Sequence, residues 1–396
     1  MSKKSMKILV CNAGSTSLKF KLFDMPCEHV MATGNVERVG SSDDAVFRYE
    51  NMLTKAQVNL KHCSILDYKA GIGLFTDCLT SDENGVIQSF EEIERVGFKT
   101  VICRTCFSTH ELTEEIIQGM RDWEILAPVH TRAYIESINA MKKTLPGAMM
   151  VGVFETDFHK TIPFERRIYG VPYRWYEELG IQRLGFHGAS HRYVAECLSA
   201  QKQHYRAISC HLGGSGSICA ILDGRSIDTS FGMSLETGLI HANRVGDMDP
   251  TMIFYLEQSG LKKEEIMDGL QKTGGLYGIS GVSGDLRYVE KASAQGNERA
   301  KLALDAYVNG IVHYIGAFAM DLEGLDDLVF TAGIGEHSAV VRRAVCDKLL
   351  VLGVRIDESK NQSNCPIIST DSSDVVVHII PTDEELVVAR RTFEAD

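Results

Sequence analysis

Two short turns rich in glycine and serine carry the residue types best suited to binding an anion. The first turn covers residues 12–17 (NAGSTS), and the second covers residues 211–215 (HLGGS). Each turn lies between apolar or alternating runs, a pattern that predicts β-hairpins over residues 7–24 and 206–223. Small residues leave the backbone N–H groups of a turn open to phosphate oxygens. One such turn would indicate a plain hairpin, but two related turns favour a polyphosphate site.

Charged and polar side chains at the ends of predicted elements could act on that phosphate. His187 precedes a predicted helix N-terminus, where an anion is stabilised, although a packed core histidine is the plain alternative. Arg244 lies in a polar loop and is either solvated or a phosphate clamp. Glu155 follows an apolar strand and could point into a cleft. Glu384 and Glu385 follow another strand, where they could hold magnesium or form the first turn of a helix.

A third glycine-rich segment covers residues 330–337 (FTAGIGEH). Here an apolar strand runs into a Gly-x-Gly turn, which would let a flat nucleoside approach the backbone. The chain has no Gly-x-x-x-x-Gly-Lys-Ser/Thr motif, so a P-loop is excluded. Because the first two turns lie in hairpins and not between a strand and a helix, a Rossmann dehydrogenase is disfavoured.

The elements that must position these residues alternate between strands and helices. The two predicted hairpins share one design, which indicates two homologous halves and an α/β fold of two domains divided near residue 150. Further helices are predicted over residues 132–143, 190–201 (with Ser190 as N-cap), 249–258, 297–322 and 338–348. Further strands are predicted over residues 149–154, 327–332 and 375–381.

The composition disfavours several classes of function. A formal net charge of -12 argues against a nucleic-acid-binding surface, and no apolar run reaches the roughly 20 residues that span a bilayer. The first residues lack the pattern of a signal peptide, so we expect a cytoplasmic protein.

Cys103 and Cys106, with His110 nearby, could bind zinc or undergo redox chemistry. Since no second Cys-x-x-Cys supplies further ligands, buried reduced thiols are favoured.

With these residues in view, the chain resembles the acetate, propionate and butyrate kinase family. The blocks NAGSTSLKF, LAPVH, FHGASHRYV, FTAGIGE and IPTDEEL occur in the family's order, and the likeness covers nearly the whole length. The resemblance implies two duplicated actin/hexokinase-like (ribonuclease H-like) domains with a cleft between them. It implies an N-terminal domain over residues 1–150, completed by a helix over 385–396, and a nucleotide-binding domain over 151–384.

The resemblance also implies a role for each matching position. It implies catalytic roles for Glu155, His187 and Arg244, and a Mg²⁺ or Mn²⁺ site at Asn12 and Glu384. The positions implied to bind the carboxylic acid are Lys99, Val101, Val129, His130, Phe186 and Leu235. The positions implied to bind ATP or ADP are Ser15, Ser17, Lys19, His211, Leu212, Gly213, Gly214, Ser215, Asp285, Leu286, Arg287, Gly333, Ile334, Gly335, Glu336 and His337.

Several positions depart from the family's pattern. The family usually has Asp where Glu155 stands, and Arg where Lys99 stands, although Arg104 could take that arginine's place. Lys99 offers a point charge in place of a bidentate fork. His337 stands where the family has Asn, and Leu235 stands where it has Pro. These changes lie around the predicted substrate and phosphate positions.

We therefore expect reversible, magnesium-dependent, direct in-line phosphoryl transfer from ATP to acetate, giving acetyl phosphate and ADP. Propionate or butyrate as acceptor, pyrophosphate as donor, and a catalytically weakened nucleotide-binding homologue remain alternatives. The expected partners are a small carboxylic acid and an adenine nucleotide, with no nucleic acid and no membrane. The resemblance further implies a homodimer.

Overall fold

The computed structural model describes residues 4–395, except for the side chain of Val129. The chain divides into two compact units. Unit 1 comprises Met1–Asp157 and Asp383–Asp396, and unit 2 comprises Phe158–Thr382. No helix among the described residues is long and apolar enough to cross a bilayer. The division into duplicated domains at residue 150 stays a prediction.

The described residues form thirteen strands and fifteen α-helices. The strands are β1 Met6–Ala13, β2 Ser17–Met25, β3 His29–Glu37, β4 Ser41–Asn51, β5 Gln57–Ile65, β6 Ile93–Thr100, β7 His110–Glu111, β8 Met149–Phe154, β9 Arg206–Leu212, β10 Gly216–Leu222, β11 Arg225–Thr229, β12 Asp327–Thr331 and β13 Val376–Ile379. The helices are α1 Tyr68–Thr80, α2 Glu114–Asp122, α3 Pro128–Thr144, α4 Phe164–Arg167, α5 Tyr173–Leu179, α6 Gly188–Ser199, α7 Thr251–Gln258, α8 Lys263–Gln271, α9 Gly275–Ser280, α10 Leu286–Ala294, α11 Glu298–Asp321, α12 Ala332–His337, α13 Ala339–Asp347, α14 Glu358–Gln362 and α15 Glu384–Glu394.

One strand arrangement occurs in both units. The sheet of unit 1 has the order β5-β4-β3-β2-β1-β6-β8-β7, and the sheet of unit 2 has the order β11-β10-β9-β12-β13. In unit 1, β3, β2 and β1 are antiparallel, whereas β1, β6 and β8 are parallel. In unit 2, β11, β10 and β9 are antiparallel, whereas β9, β12 and β13 are parallel. This confirms the predicted α/β class, and the shared order agrees with the sequence repeat.

Helices cover both faces of the unit 1 sheet because β1 is apolar on both sides. Ile8 and Val10 contact α15 through one apolar cluster. Cys11, on the opposite face, pairs in register with Phe20, whose ring stacks on Phe75 of α1 at 4.4 Å. The chain's last helix is therefore fixed to the same central strands that carry the first glycine turn.

The unit 2 sheet is likewise buried on both faces. Ile208 and Phe330 belong to the cluster that contains the long helix α11, whereas Ala207 and Val329 pack with the α6 residue Val194. Strands covered on both faces read as continuous apolar runs, as the central residues 328–330 of β12 do. Both predicted hairpins are confirmed, β1–β2 and β9–β10.

Two local predictions were wrong. The predicted N-cap at Ser190 is incorrect, because α6 begins at Gly188 and His187 is its N-cap, in the left-handed conformation with φ 56°. The predicted Gly-x-Gly turn after β12 is the short helix α12, and the positive φ in this segment, +65°, belongs to Ala332, the first residue of that helix. In both places a non-glycine residue adopts a conformation that residue type alone does not indicate.

Candidate active site

Four polar side chains predicted from sequence lie at one edge of the unit 1 sheet. Asn12 is near the end of β1, Lys99 near the end of β6, and Glu155 directly follows β8. Since the carboxyl ends of parallel strands meet at one edge, these residues are brought together by topology. Glu384, the first residue of α15, joins them by an ion pair to the Lys99 ammonium.

Lys99 is the positive centre of this group. Its Nζ lies 3.7 Å from Glu155 Oε1, and only 6 % of the Glu155 side chain is exposed. Burial by itself lowers the pKa of Lys99, but the Glu155 and Glu384 carboxylates outweigh burial and raise that pKa well above its usual value. Lys99 therefore stays charged at any physiological pH. Arg104, its predicted alternative, has an exposed side chain.

The first glycine turn is held by two tyrosines that sequence reasoning missed. The Tyr68 hydroxyl donates to the Gly14 and Ser15 carbonyls at 2.8 and 2.9 Å, and the Tyr134 hydroxyl donates to Asn12 Oδ1 at 2.8 Å. Tyr134 belongs to α3, which packs beside β1, and Tyr68 is the first residue of α1, which packs on β2–β5; local sequence does not reveal either placement. Among the predicted phosphate residues, Ser15 and Lys19 are exposed and Ser17 is half-buried. Lys19 pairs in register with Asn12.

Histidines form the central feature of unit 2. The His187 and His211 rings stack at 3.9 Å between centroids. His187 Nδ1 lies 2.8 Å from Ser217 Oγ, and His211 Nδ1 lies 2.8 Å from Ser190 Oγ. Sequence reasoning identified both histidines, but it named Ser190 only as a helix N-cap and did not identify Ser217. Two stacked imidazoles beside a glycine turn form a surface that can donate hydrogen bonds to an anion.

Arg244 lies close in sequence to a further buried histidine. Burial lowers the pKa of the Arg244 guanidinium, against the raising effect of Glu236. Its backbone carbonyl accepts from the His241 N–H at 3.1 Å, and the neighbouring Ala242 N–H donates to Gly214 O at 2.9 Å. The arginine loop is thus hydrogen-bonded to the second glycine turn. A partly desolvated guanidinium is well suited to binding phosphate.

Unit 2 contains a cavity of about 730 Å³ next to this turn. Eight predicted nucleotide positions line it: Gly213, Gly214, Asp285, Leu286, Arg287, Gly333, Ile334 and His337. Five predicted positions of unit 2 do not, namely His211, Leu212, Ser215, Gly335 and Glu336, and neither do the three predicted positions of unit 1, Ser15, Ser17 and Lys19. The volume is in the range of small-molecule sites.

Six residues lining the cavity were missed: Ala242, Asn243, Ser283, Gly284, Glu290 and Ser338. Glu290 is one helical turn beyond Leu286 on α10, and Ser338, the N-cap of α13, donates to its carboxylate at 2.5 Å. The i, i+4 spacing from a predicted residue was the available signal for Glu290. The hydrogen bond between Glu290 and Ser338 could not be predicted without the tertiary structure.

The predicted acyl-pocket residues fall in both units. Val101 is buried in unit 1. Phe186 and Leu235 are buried in unit 2, where the Phe186 ring meets the Phe231 ring edge-on at 5.4 Å. The side chain of Val129 lies outside the described residues, and the neighbouring His130 is exposed.

Cys103 and Cys106 are both buried. No group of three or more His, Cys, Asp or Glu side chains among the described residues is arranged to hold a metal ion. Nothing in this part of the chain therefore supports a closed zinc site, which needs four ligands.

The repeated sheet, with polar residues at its strand ends, is that of the actin/hexokinase-like fold class. Comparison with known proteins agrees: the model of the acetokinase family matches residues 7–390. An acetate kinase of Halothermothrix orenii is 41% identical over 395 residues, covering 98% of each chain. The crystal structure of Porphyromonas gingivalis acetate kinase is 37% identical with a TM-score of 0.86, covering 98% of this chain and 99% of that one. A propionate kinase structure from Francisella tularensis is 31% identical with a TM-score of 0.89, covering 99% and 100%.

The chain therefore belongs to the acetokinase family, whose members are phosphotransferases acting on a carboxyl group.

Proposed function

We propose that this chain transfers the terminal phosphoryl group of ATP to acetate, reversibly, giving acetyl phosphate and ADP. The observation that supports this most is the cavity of about 730 Å³ in unit 2, whose lining includes Gly213, Gly284 and Gly333. Glycines leave flat walls against which a nucleoside can lie. Pyrophosphate would leave most of such a volume unfilled, so the cavity favours a nucleotide as the donor over pyrophosphate.

The proposed reaction needs no general base, because the acetate carboxylate is already a nucleophile. One carboxylate oxygen attacks the terminal phosphorus in line, the bond to the bridging oxygen breaks, and ADP leaves with that bond's electron pair. The barrier is mainly the approach of one anion to another, so fixed positive charge and positioning carry the catalysis. Lys99 would bind the acetate, and His187 and Arg244 would stabilise the equatorial phosphoryl oxygens.

The oxygen atoms at the unit 1 sheet edge fit a magnesium ion. Asn12 and Glu384 would hold it, with Glu155 beside them, since Mg²⁺ prefers hard oxygen ligands and uses few protein ligands when phosphates supply the rest. When bound, the ion neutralises phosphate charge. The Lys99–Glu384 ion pair keeps the Glu384 carboxylate at this edge.

Propionate is the second candidate acceptor, and the likeness to the Francisella tularensis propionate kinase favours it. A pocket distinguishes acids that differ by one methylene by only about 1–3 kcal/mol. We favour acetate because the curated relatives are named for it. Homodimeric assembly and a cytoplasmic location stay predictions.

The test is acyl phosphate formation by the purified chain, trapped as the hydroxamate, with each of three acids and two donors. We expect the highest kcat/KM with acetate and ATP, and at most weak activity with pyrophosphate. Higher kcat/KM with propionate would change the assigned acceptor. Absence of hydroxamate with every acid, in a protein that still binds ADP, would support the weakened nucleotide-binding homologue.

A further inference from the structure

A chain of hydrogen bonds runs from the core of unit 2 to His187. Ser209 Oγ lies 2.9 Å from His191 Nδ1, His191 Nε2 lies 2.8 Å from Ser217 Oγ, and Ser217 Oγ lies 2.8 Å from His187 Nδ1. Ser209, His191 and Ser217 are all fully buried. The proposed reaction uses only the last member, His187, so the other three need a separate explanation.

Burial favours the neutral form of His191. Burial lowers its pKa well below the usual value, and the neighbouring His159 and His211 lower it further. A neutral imidazole has one N–H donor and one acceptor nitrogen. The hydrogen-bond chain can therefore run in only two directions, and the direction fixes which nitrogen of a neutral His187 carries its proton.

In the first direction, the Ser209 hydroxyl donates to His191 Nδ1, and His191 Nε2–H donates to Ser217. The Ser217 hydroxyl then donates to His187 Nδ1, which leaves the His187 proton on Nε2. Every O–H and N–H of the three buried residues has an acceptor in this arrangement.

In the reverse direction, His191 Nδ1–H donates to Ser209, and Ser217 donates to His191. His187 must then donate from Nδ1, so its Nε2 becomes an acceptor. The Ser209 hydroxyl proton loses its acceptor, because His191 is the one side-chain partner recorded for that hydroxyl within residues 4–395. A buried hydroxyl proton without an acceptor is costly, so the first direction is favoured.

We infer that Ser209, His191 and Ser217 act as positioning residues that hold neutral His187 in the Nε2–H tautomer. Such a ring presents an N–H, and no lone pair, at Nε2. This inference rests on the proposed function, in which His187 donates to an oxygen of the transferring phosphoryl group. The stacked His211 ring, 3.9 Å away, restricts rotation of the His187 ring and so keeps the donor direction fixed.

The tautomer can be measured without any activity assay. In protein labelled with ¹⁵N-histidine, ring nitrogen shifts distinguish a protonated from an unprotonated nitrogen, and a His187→Asn variant assigns the signal. For wild type we expect protonated Nε2 and unprotonated Nδ1 at His187. A wild-type His187 with the proton on Nδ1 would overturn the inference, whether or not any variant folds.

Variants then test the chain of hydrogen bonds from Ser209 to His187. Ser217→Ala removes the donor to His187 Nδ1, so we expect mixed tautomers and a kcat lower by about tenfold or more, with KM for ATP little changed. His191→Gln places an amide N–H where Nε2–H was, so it should retain the Nε2–H tautomer and more of kcat than His191→Leu. Ser226→Ala is the matched control, because Ser226 is an equally buried serine bonded to another histidine, His159, at 2.9 Å.

Two failures are distinguishable. If wild type forms no acyl phosphate yet shows the Nε2–H tautomer, the proposed function fails and the tautomer assignment stands. If wild type is active and Ser217→Ala changes neither the His187 tautomer nor kcat beyond Ser226→Ala, the positioning role is contradicted.

Discussion

At the scale of single residues, the unit 1 group concentrates opposite charges around one ammonium. Lys99 contacts two carboxylates, Glu155 and Glu384, so the three side chains carry a net charge of about -1 when all are ionised. Removing Lys99 would leave two acids that repel each other and any carboxylate substrate. The lysine therefore serves both the stability of the group and the proposed binding of acetate.

We predict that Lys99→Met lowers kcat/KM for acetate by about 100-fold, because one charged contact in a closed site is worth roughly 3 kcal/mol. Lys99→Arg keeps the positive charge, so its kcat/KM for acetate should fall by less. Lys21→Met is the matched control, since Lys21 pairs with Asp383 at 3.1 Å and Glu385 at 3.5 Å beside the predicted site. Equal losses for Lys99→Met and Lys21→Met would remove Lys99 from acetate binding.

A second residue-scale prediction concerns pH. Burial, followed by the charge of Arg244, lowers the pKa of His241 to about 3. In the unfolded chain a histidine binds a proton below about pH 6.5. Between pH 6.5 and 3 the unfolded state thus holds more protons at this site, so stability falls as pH falls. The slope is about 1.4 kcal/mol per pH unit for one histidine.

Urea unfolding at several pH values between 7 and 5 measures this slope. Each unit contains one tryptophan, Trp123 in unit 1 and Trp175 in unit 2. In a Trp123→Phe background, fluorescence reports unit 2 alone. His241→Gln should reduce the pH dependence of the free energy of unfolding. The pH dependence that comes from the buried His191 should remain. An unchanged slope would show that His241 titrates normally.

At the scale of elements, a buried arginine fixes the short helix α12 beside the cavity. Arg342 of α13 is fully buried and donates to Gly335 O at 2.9 Å, Asn361 Oδ1 at 2.9 Å, Asn361 O at 2.7 Å and Asn364 Oδ1 at 2.6 Å. One of these bonds reaches α12 at Gly335, and the other three reach α14 and Asn364, so Arg342 links the six-residue helix α12 to the segment that contains α14.

We predict that Arg342→Met destabilises unit 2 by about 3 kcal/mol, because several buried acceptors lose their donor. ADP affinity should fall as well, since Gly333 and Ile334 of α12 line the cavity. Arg343→Met provides the control, as the adjacent Arg343 makes only exposed ion pairs to Asp347 and Glu358. It should change stability by less than about 1 kcal/mol. Calorimetry of unfolding and of ADP binding checks both, and similar effects of the two variants would contradict the account.

Element type was predictable where the sequence pattern was periodic. Alternation identified both hairpins, and β8 was predicted with its observed bounds, Met149–Phe154. The start of α6 was not predictable, because His187 adopts a left-handed conformation at the N-cap that only the surrounding packing imposes. Ala332, the first residue of α12, likewise has a positive φ. Left-handed backbone conformations are rare for residues with a Cβ, so residue type alone would predict another conformation at these two positions.

At the scale of the whole molecule, the net charge of -12 contrasts with the anionic substrates proposed. The cations are local: Lys99 in unit 1 and Arg244 in unit 2 are each partly withdrawn from water. Desolvated charges act more strongly on a ligand than exposed ones, so a few suffice. An acidic surface with local cations fits small anionic metabolites better than a nucleic acid.

The candidate site was only partly predictable from sequence, for a reason that applies to the whole fold. Residues within recognisable motifs, such as His187 and Gly333, could be identified from the sequence. Tyr68, Tyr134 and Ser338 could not, because each acts through a partner far away in the chain. Local sequence indicates which turns are candidates for phosphate binding, whereas the helices that support those turns are known only once the fold is.

The most direct test of the central claim follows the terminal phosphate of ATP by ³¹P NMR, in the presence of acetate and magnesium. We predict that wild type converts it into acetyl phosphate with one ADP formed per transfer. Arg244→Ala should be slower by about 100-fold while it retains its fold. Release of inorganic phosphate without acetyl phosphate, or an Arg244→Ala rate equal to wild type, would contradict the account.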